Sequence, residues 1–162
     1  MLKRVLPDHL LGGMHLGDDE ERGAQTRYDL LVTMFGSLER LRAEISKCSA
    51  EPYLLTVTGS DRPHCGTVTV GWDAPGCRLV VRPPSSWARS EASGRRQVSL
   101  LWPPTEPDGY SLIVDGVASA VVSDGETLLA IELTKAVLHR RGPGLPGNGS
   151  SCGSDCVPIL TR

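Results

Sequence analysis

The sequence predicts a mainly β protein of the α+β class, with antiparallel strands and flanking helices. Aromatic residues are few, so that a core would consist mostly of Val, Leu, Ile and Ala, which favours strands. Between residues 53 and 122, short β-rich segments alternate with turns rich in Gly, Pro and Asp. A chain of 162 residues is also long enough to bury one hydrophobic core.

The first 48 residues are predicted to form an N-terminal arm followed by an amphipathic helix. Residues 1–23 mix Pro, Gly and acidic residues, a composition that gives little local order. A helix is predicted from Thr26 onward, and Pro52 ends it because proline disfavours helical geometry at the preceding residue. The helix follows from apolar residues that recur every three or four positions: Leu31, Met34, Leu38, Leu41 and Ile45.

Residues 49–140 are predicted to form the β core. The first two strands are joined by the turn-forming residues 59–63 and form a hairpin. Gly116 is predicted to mark a bulge or bend in a long strand. The last segment of the core, residues 128–138, also has helical propensity, but we interpret it as a strand. The six predicted strands are residues 53–58, 67–70, 78–81, 97–102, 109–122 and 128–138.

A cluster of Arg and Ser residues lies between the third and fourth predicted strands, in a segment predicted to be a short polar helix. Ser85 or Ser86 can cap its start, and Gly94 can cap its end. Exposed amides, hydroxyls and guanidiniums together bind anions such as phosphate. We therefore interpret Arg82, Ser85, Ser86 and Arg89 as candidate phosphate ligands; the alternative is a solvated surface with ordinary ion pairs.

Residues 141–162 are predicted to be a tail rich in Gly, Pro and Cys, with loop up to residue 151. Cys152 and Cys156 lie four residues apart and could form a redox pair, although a reduced tail without such a role is the simpler interpretation. A metal site at these cysteines would need two more ligands, for which His139 or Asp155 is possible, and no metal site is predicted. The chain has five cysteines, an odd number, so that reduced thiols are expected.

Charge and hydropathy argue against two classes of partner. The net charge is −2, with acidic and basic residues mixed along the chain, so no nucleic-acid partner is expected. No apolar run is long enough to span a bilayer, and the N-terminal residues do not resemble a secretory signal. A cytoplasmic protein with a small-molecule substrate is the expectation.

The stretch from Pro52 to about Arg140 resembles the pyridoxamine 5′-phosphate oxidase-like split β-barrel family of flavin-binding proteins. Several short motifs, in their order and spacing, carry this resemblance. They are Asp-Arg-Pro at 61–63, Ser-Ser-Trp-Ala-Arg at 85–89, the strand 97–102, Gly-Tyr at 109–110, Val-Asp-Gly-Val-Ala at 114–118 and Ala-Val-Leu-His-Arg at 136–140.

The resemblance implies a six-stranded antiparallel split β-barrel with flanking helices, and a homodimer that binds FMN at two subunit-interface sites. A deazaflavin is the alternative cofactor. By position, the second-strand contacts to the cofactor would be Gly66, Thr67, Val68 and Thr69. The phosphate contacts would be Arg82, Ser85, Ser86 and Arg89.

The function that the resemblance implies is that of a flavin-dependent oxidoreductase acting on an unidentified small molecule. No catalytic residue is assigned, because hydride transfer is chemistry of the cofactor. One alternative is a non-catalytic barrel that carries or senses a cofactor such as haem, with His64 or His139 as its ligand. Another is a barrel that serves only in dimerisation.

Overall fold

The computed structural model describes residues 26, 33, 36–58, 60–73, 75, 77–83, 94–142 and 154–161. The chain divides into two units, Met1–Phe35 and Gly36–Arg162. In the first unit, Thr26 and Thr33 are helical. The second unit contains helical residues 36–47 and all the strands described below.

The helical residues 36–47 follow the predicted apolar pattern. Leu38 and Leu41 are buried and Ile45 is half-buried, so the apolar stripe faces inward in this part of the helix. The helix ends at Lys47, before Pro52, as predicted. No helix among the described residues has the length and apolar character needed to cross a membrane.

An antiparallel sheet of eight strands makes up most of the second unit, which confirms the prediction of a mainly β fold with a flanking helix. The strands follow the order β2-β1-β5-β6-β7-β4-β3, and β8 pairs with β7 beside this path. Their bounds are β1 Tyr53–Val57, β2 Pro63–Thr67, β3 Val70–Asp73, β4 Arg78–Val81, β5 Gln97–Trp102, β6 Ser111–Ser123, β7 Glu126–Arg141 and β8 Ser154–Thr161.

The predicted second strand, residues 67–70, contains a break between two strands at Val68 and Thr69. β2 ends at Thr67, where it pairs with β1, and β3 begins at Val70, where it pairs with β4. Local β propensity did not reveal this break, because it arises from the change of pairing partner. The described sheet therefore has eight strands, whereas six were predicted. Closure into a six-stranded barrel stays a prediction.

The β6–β7 hairpin is the longest element of the fold. A turn at Asp124 and Gly125 joins the two strands, and both turn residues have positive φ, as a type I′ hairpin turn requires. The register shifts between Asp115 and Gly116, where β7 has one more residue than β6, so the predicted irregularity at Gly116 is confirmed. A Cβ at Gly116 would lie 2.5 Å from the Glu132 carbonyl oxygen, and the close approach of β7 therefore requires glycine.

The C-terminal residues contain a strand that the sequence analysis did not predict. β8 pairs with the end of β7, from Lys135↔Thr161 to Arg141↔Ser154. Pro158 lies within β8, and proline usually argues against a strand. Among the described strands β8 pairs only with β7, so it is an edge strand, where proline is tolerated.

The two faces of the sheet near β1 differ in burial. Leu54 and Thr56 of β1 are buried, while Tyr53, Leu55 and Val57 alternate with them and are exposed. The neighbouring strands β5 and β6 show the same alternation. One face therefore belongs to the core, and the other, which we call the outer face, carries apolar side chains in contact with solvent.

Candidate functional site

A cavity of about 380 Å³ lies where β3 and β4 meet the start of β7. Its volume falls within the usual range for small-molecule sites. The β3–β4 register pairs Val70 with Val81, so Thr69 and Arg82 are cross-strand neighbours just beyond that pair. The cavity is lined by Thr69, Gly71, Val80, Val81, Arg82, Glu126 and Leu128.

Arg82 forms a two-pronged ion pair with Glu126. Its Nε lies 2.7 Å from Glu126 Oε1, and its Nη2 donates to Oε2 at 3.0 Å. The hydrogen bond and the negative charge of Glu126 raise the pKa of Arg82 above its ordinary value. A guanidinium carries five N–H donors, and this pair uses two of them, so three remain for another acceptor.

The hydroxyl of Thr69 also has a carboxylate partner. Its Oγ1 donates to Glu51 Oε1 at 2.7 Å. While that bond is made, the hydroxyl can accept a hydrogen bond but cannot donate its proton elsewhere. An anionic ligand at Thr69 would therefore have to replace Glu51 as the acceptor.

The other second-strand candidates do not line this cavity. Gly66 and Thr67 lie on β2, opposite Leu54 and Tyr53 of β1. The Val68 side chain is buried, and its N–H donates to the Pro52 carbonyl oxygen at 3.0 Å. Of the four candidates, only Thr69 therefore lies at the cavity with Arg82.

The remaining phosphate candidates, Ser85, Ser86 and Arg89, lie outside the described residues. The described chain stops at Pro83, one residue after Arg82 of the cavity wall, and resumes at Gly94. Gly94 has a φ of +71°, a conformation suited to the helix cap predicted there.

A second, larger cavity of about 590 Å³ opens on the β1, β5 and β6 side of the sheet. Its walls are mostly apolar and include Leu55, Val57 and Val117. Polar residues also line it, among them Ser99 and Asp115, whose side chains are joined by a hydrogen bond of 2.6 Å from Ser99 Oγ to Asp115 Oδ1. The lining of this cavity suits an apolar group, with the Asp115 carboxylate able to accept a hydrogen bond from it.

The two histidines considered as haem ligands lie on different strands. His64 is exposed on β2, opposite Thr56 of β1. His139 lies on β7, with its Nδ1 3.2 Å from the Sγ of Cys156 on β8. Neither histidine lines the two cavities described above.

A polar cluster joins the start of β6 to β7 and β8. Tyr110 donates a hydrogen bond of 2.5 Å to Asp155 Oδ2, and Arg140 Nε donates to the same oxygen at 3.1 Å. The Arg140 guanidinium also lies 4.5 Å from the centre of the Tyr110 ring. The hydrogen bond from Tyr110 lowers the pKa of Asp155, and the same bond raises the pKa of Tyr110.

The sequence analysis missed Glu126, which controls the charge of the smaller cavity. It lies 44 residues from Arg82, and no local pattern links the two. The Asp124-Gly125 pair is a hairpin signal that could have placed Glu126 at the start of a strand. The pairing of β4 with β7 then brings Glu126 to Arg82.

Comparisons with known proteins identify two relatives. The uncharacterized protein Mb0449c of Mycobacterium bovis and the uncharacterized protein MT0457 of Mycobacterium tuberculosis are each 36% identical over 118 residues, which cover 65% of this chain and 82% of theirs. A solved structure titled as a heme binding protein from Mycobacterium smegmatis has a TM-score of 0.45 and 15% identity, over 71% of this chain and 55% of that one. No family model matches the chain.

Proposed function

The chain belongs to the family of these two mycobacterial proteins, and from its own residues we propose that it binds a flavin-type cofactor, FMN or a deazaflavin. The phosphate would lie at the cavity between Thr69 and Arg82. A bound flavin supplies hydride or electron transfer, so the protein would act as an oxidoreductase on a small molecule. The residues of the chain would bind and orient the cofactor.

One observation carries the proposal. Thr69 and Arg82 were assigned to the cofactor from separate motifs, and both line one cavity of about 380 Å³. A hydroxyl and a guanidinium are suitable partners for a phosphate, because guanidinium N–H groups make strong charge-assisted hydrogen bonds. Ser85, Ser86 and Arg89 follow Arg82 by a few residues and would supply further donors.

Phosphate binding must compete with two carboxylates at this cavity. Glu126 occupies two donors of Arg82, and Glu51 accepts the proton of Thr69. The side chain of Arg82 is 72% exposed, so its ion pair is solvated and weak. A dianionic phosphate can share the guanidinium through the three remaining N–H groups or replace Glu126.

The proposal includes a homodimer formed through the outer face of the sheet. Four apolar side chains there are 36–39% exposed: Tyr53, Leu55, Val57 and Val117. Three of them alternate along β1, so they form a continuous apolar strip beside the larger cavity. A second copy of the chain would remove this strip from water.

Titration of the purified protein with FMN and with riboflavin tests the phosphate assignment. Both ligands carry the same ring, and riboflavin lacks the phosphate. Substitution of Arg82→Ala should weaken FMN binding about tenfold and leave riboflavin binding unchanged, because one charge-assisted hydrogen bond is lost. Flavin fluorescence gives both dissociation constants.

Arg78→Ala is the matched control, because it removes another ion-paired arginine from the same hairpin. Arg78 bonds Asp73 at 2.6 Å at the opposite end of β4 and does not line the cavity. It should bind FMN like the wild type. Two results would contradict the phosphate assignment. One is an equal loss of FMN affinity in the two variants, and the other is an equal loss of FMN and riboflavin affinity in Arg82→Ala. A Soret band on addition of haemin, with no flavin binding, would favour a haem carrier.

A further inference from the structure

The pair formed by His139 and Cys156 lies apart from both cavities and has no part in the proposed flavin site. The two residues are directly opposite each other in the β7–β8 register, so their side chains share one face of the sheet. The Nδ1–Sγ distance of 3.2 Å is a hydrogen-bond distance for a thiol. Cys156 is exposed, so a small reagent can reach its sulfur.

One cross-strand position away from this pair, at Arg140↔Asp155, the polar cluster connects β8 to β7. Asp155 accepts hydrogen bonds from Tyr110 on one side and from Arg140 on the other. Because successive residues of a strand point to opposite faces, these charged side chains lie across the sheet from His139 and Cys156. They hold the backbone of β8 in register without occupying the space around the thiol.

From this arrangement we propose that Cys156 is a nucleophilic thiol, with His139 as its proton acceptor, that exchanges with low-molecular-weight disulfides. His139 Nδ1 takes the thiol proton, and the Cys156 sulfur attacks one sulfur of the disulfide. A new S–S bond forms at Cys156 as the S–S bond of the reagent breaks. The leaving thiolate takes the proton from His139, so the products are a mixed disulfide and one free thiol.

The other described cysteines differ from Cys156 in exposure or in their neighbours. Cys65 is exposed on β2 and has no hydrogen bond among the contacts of the described residues, so it serves as an internal reference. Cys48 is half-buried, and burial together with the charge of Glu44 raises the pKa of its thiol. A thiol in that environment reacts slowly, because the thiolate is the nucleophile.

The experiment uses the full chain with Cys152→Ser, so that one C-terminal thiol remains, and glutathione disulfide as the probe. Site-resolved mass spectrometry follows mixed-disulfide formation at Cys156 and at Cys65 in the same sample. We expect Cys156 to react about fivefold faster or more than Cys65, because its thiol contacts the imidazole of His139 and no such contact is described for Cys65.

His139→Gln in this background tests the role of the imidazole. Glutamine keeps a polar side chain of similar size but cannot accept the proton, so the Cys156 rate should fall to within about twofold of the Cys65 rate. Far-UV circular dichroism checks that the sheet is intact. A Cys156 rate equal to that of Cys65 in the Cys152→Ser protein, or a fast Cys156 that His139→Gln leaves unchanged, would overturn the proposal.

A second variant keeps the test decisive if His139→Gln does not fold. His139→Asn shortens the side chain and also lacks a proton acceptor, so it should lower the Cys156 rate to the same level. The comparison of Cys156 with Cys65 needs no histidine variant at all. Reversal of the modification by reduced glutathione distinguishes exchange from irreversible oxidation, and a product that resists the reductant would count against exchange.

Discussion

Arg82 and Glu126 form an ion pair in the wall of one cavity, with two N–O contacts of 2.7 and 3.0 Å. The same guanidinium is the one cationic ligand proposed for a cofactor phosphate within the part of the chain that the structure describes. An acidic side chain therefore competes for the group that an anion would need. Glu126 is therefore a position at which we expect a substitution to change affinity for the proposed cofactor.

Glu126→Gln should increase FMN affinity about threefold, because it removes a competing carboxylate and its repulsion of the phosphate. Riboflavin affinity should not change. Fluorescence titration measures both constants. Glu132→Gln, an exposed position on β7 that does not line the cavity, is the control and should bind FMN like the wild type. Weaker FMN binding in Glu126→Gln would show that the carboxylate assists the ligand and would refute this prediction.

Gly116→Ala should lower the free energy of unfolding by about 1–3 kcal/mol or more, because the added methyl group cannot fit. Its Cβ would lie 2.5 Å from the Glu132 carbonyl oxygen and 2.6 Å from Ile131 Cγ2. Chemical denaturation measures the change. Gly66→Ala is the control, since nothing lies within 4 Å of a Cβ at Gly66, and it should change stability by less than about 0.5 kcal/mol. Equal stability of the two variants would show that β7 moves to accommodate the methyl group, and it would contradict this prediction.

Asp155→Asn should destabilise the protein near neutral pH and have no such effect in acid. The hydrogen bond from Tyr110 and the nearby Arg140 lower the pKa of Asp155 below its ordinary value of 3.8. A carboxyl whose pKa is lower in the folded state stabilises the fold above its unfolded pKa, and this stabilisation is lost as the pH falls through the folded pKa.

Melting temperatures of the wild type and of Asp155→Asn, measured from pH 7 to pH 2, test this prediction. The difference between them should shrink below about pH 4. Asp108→Asn serves as the reference, because Asp108 is exposed in the β5–β6 loop and has no such cluster around it. A difference that stays constant down to the lowest pH would rule out a role for the Asp155 charge.

Val57→Glu should convert the proposed dimer to a monomer without unfolding it. Val57 is 39% exposed on the apolar outer face, so a charge there can remain in water in the monomer but would be buried in the interface. Sedimentation equilibrium measures the association. Val122→Glu is the control, because Val122 is 76% exposed near the tip of the β6–β7 hairpin. A wild-type chain that sediments as a monomer would refute the dimer.

The parts of the fold that the sequence predicted are those set by neighbouring residues. The apolar spacing around Leu38 and Leu41 identified the helix, and the β-rich residues 53–58 identified the first strand. The bulge at Gly116 was also predicted, since glycine within a strand marks close backbone approach. Each of these features depends on side chains a few positions apart.

Features that depend on distant residues were decided only by the tertiary structure. The break at Val68 and Thr69 exists because β2 pairs with β1 while β3 pairs with β4, and β8 forms because β7 offers an edge to a segment that contains Pro158. Likewise, β4–β7 pairing brings Glu126 to Arg82. A strand with an alternating pattern can pair with many other strands, so the pattern predicts only that the segment is a strand. Its pairing partner is determined by the burial of all the strands together.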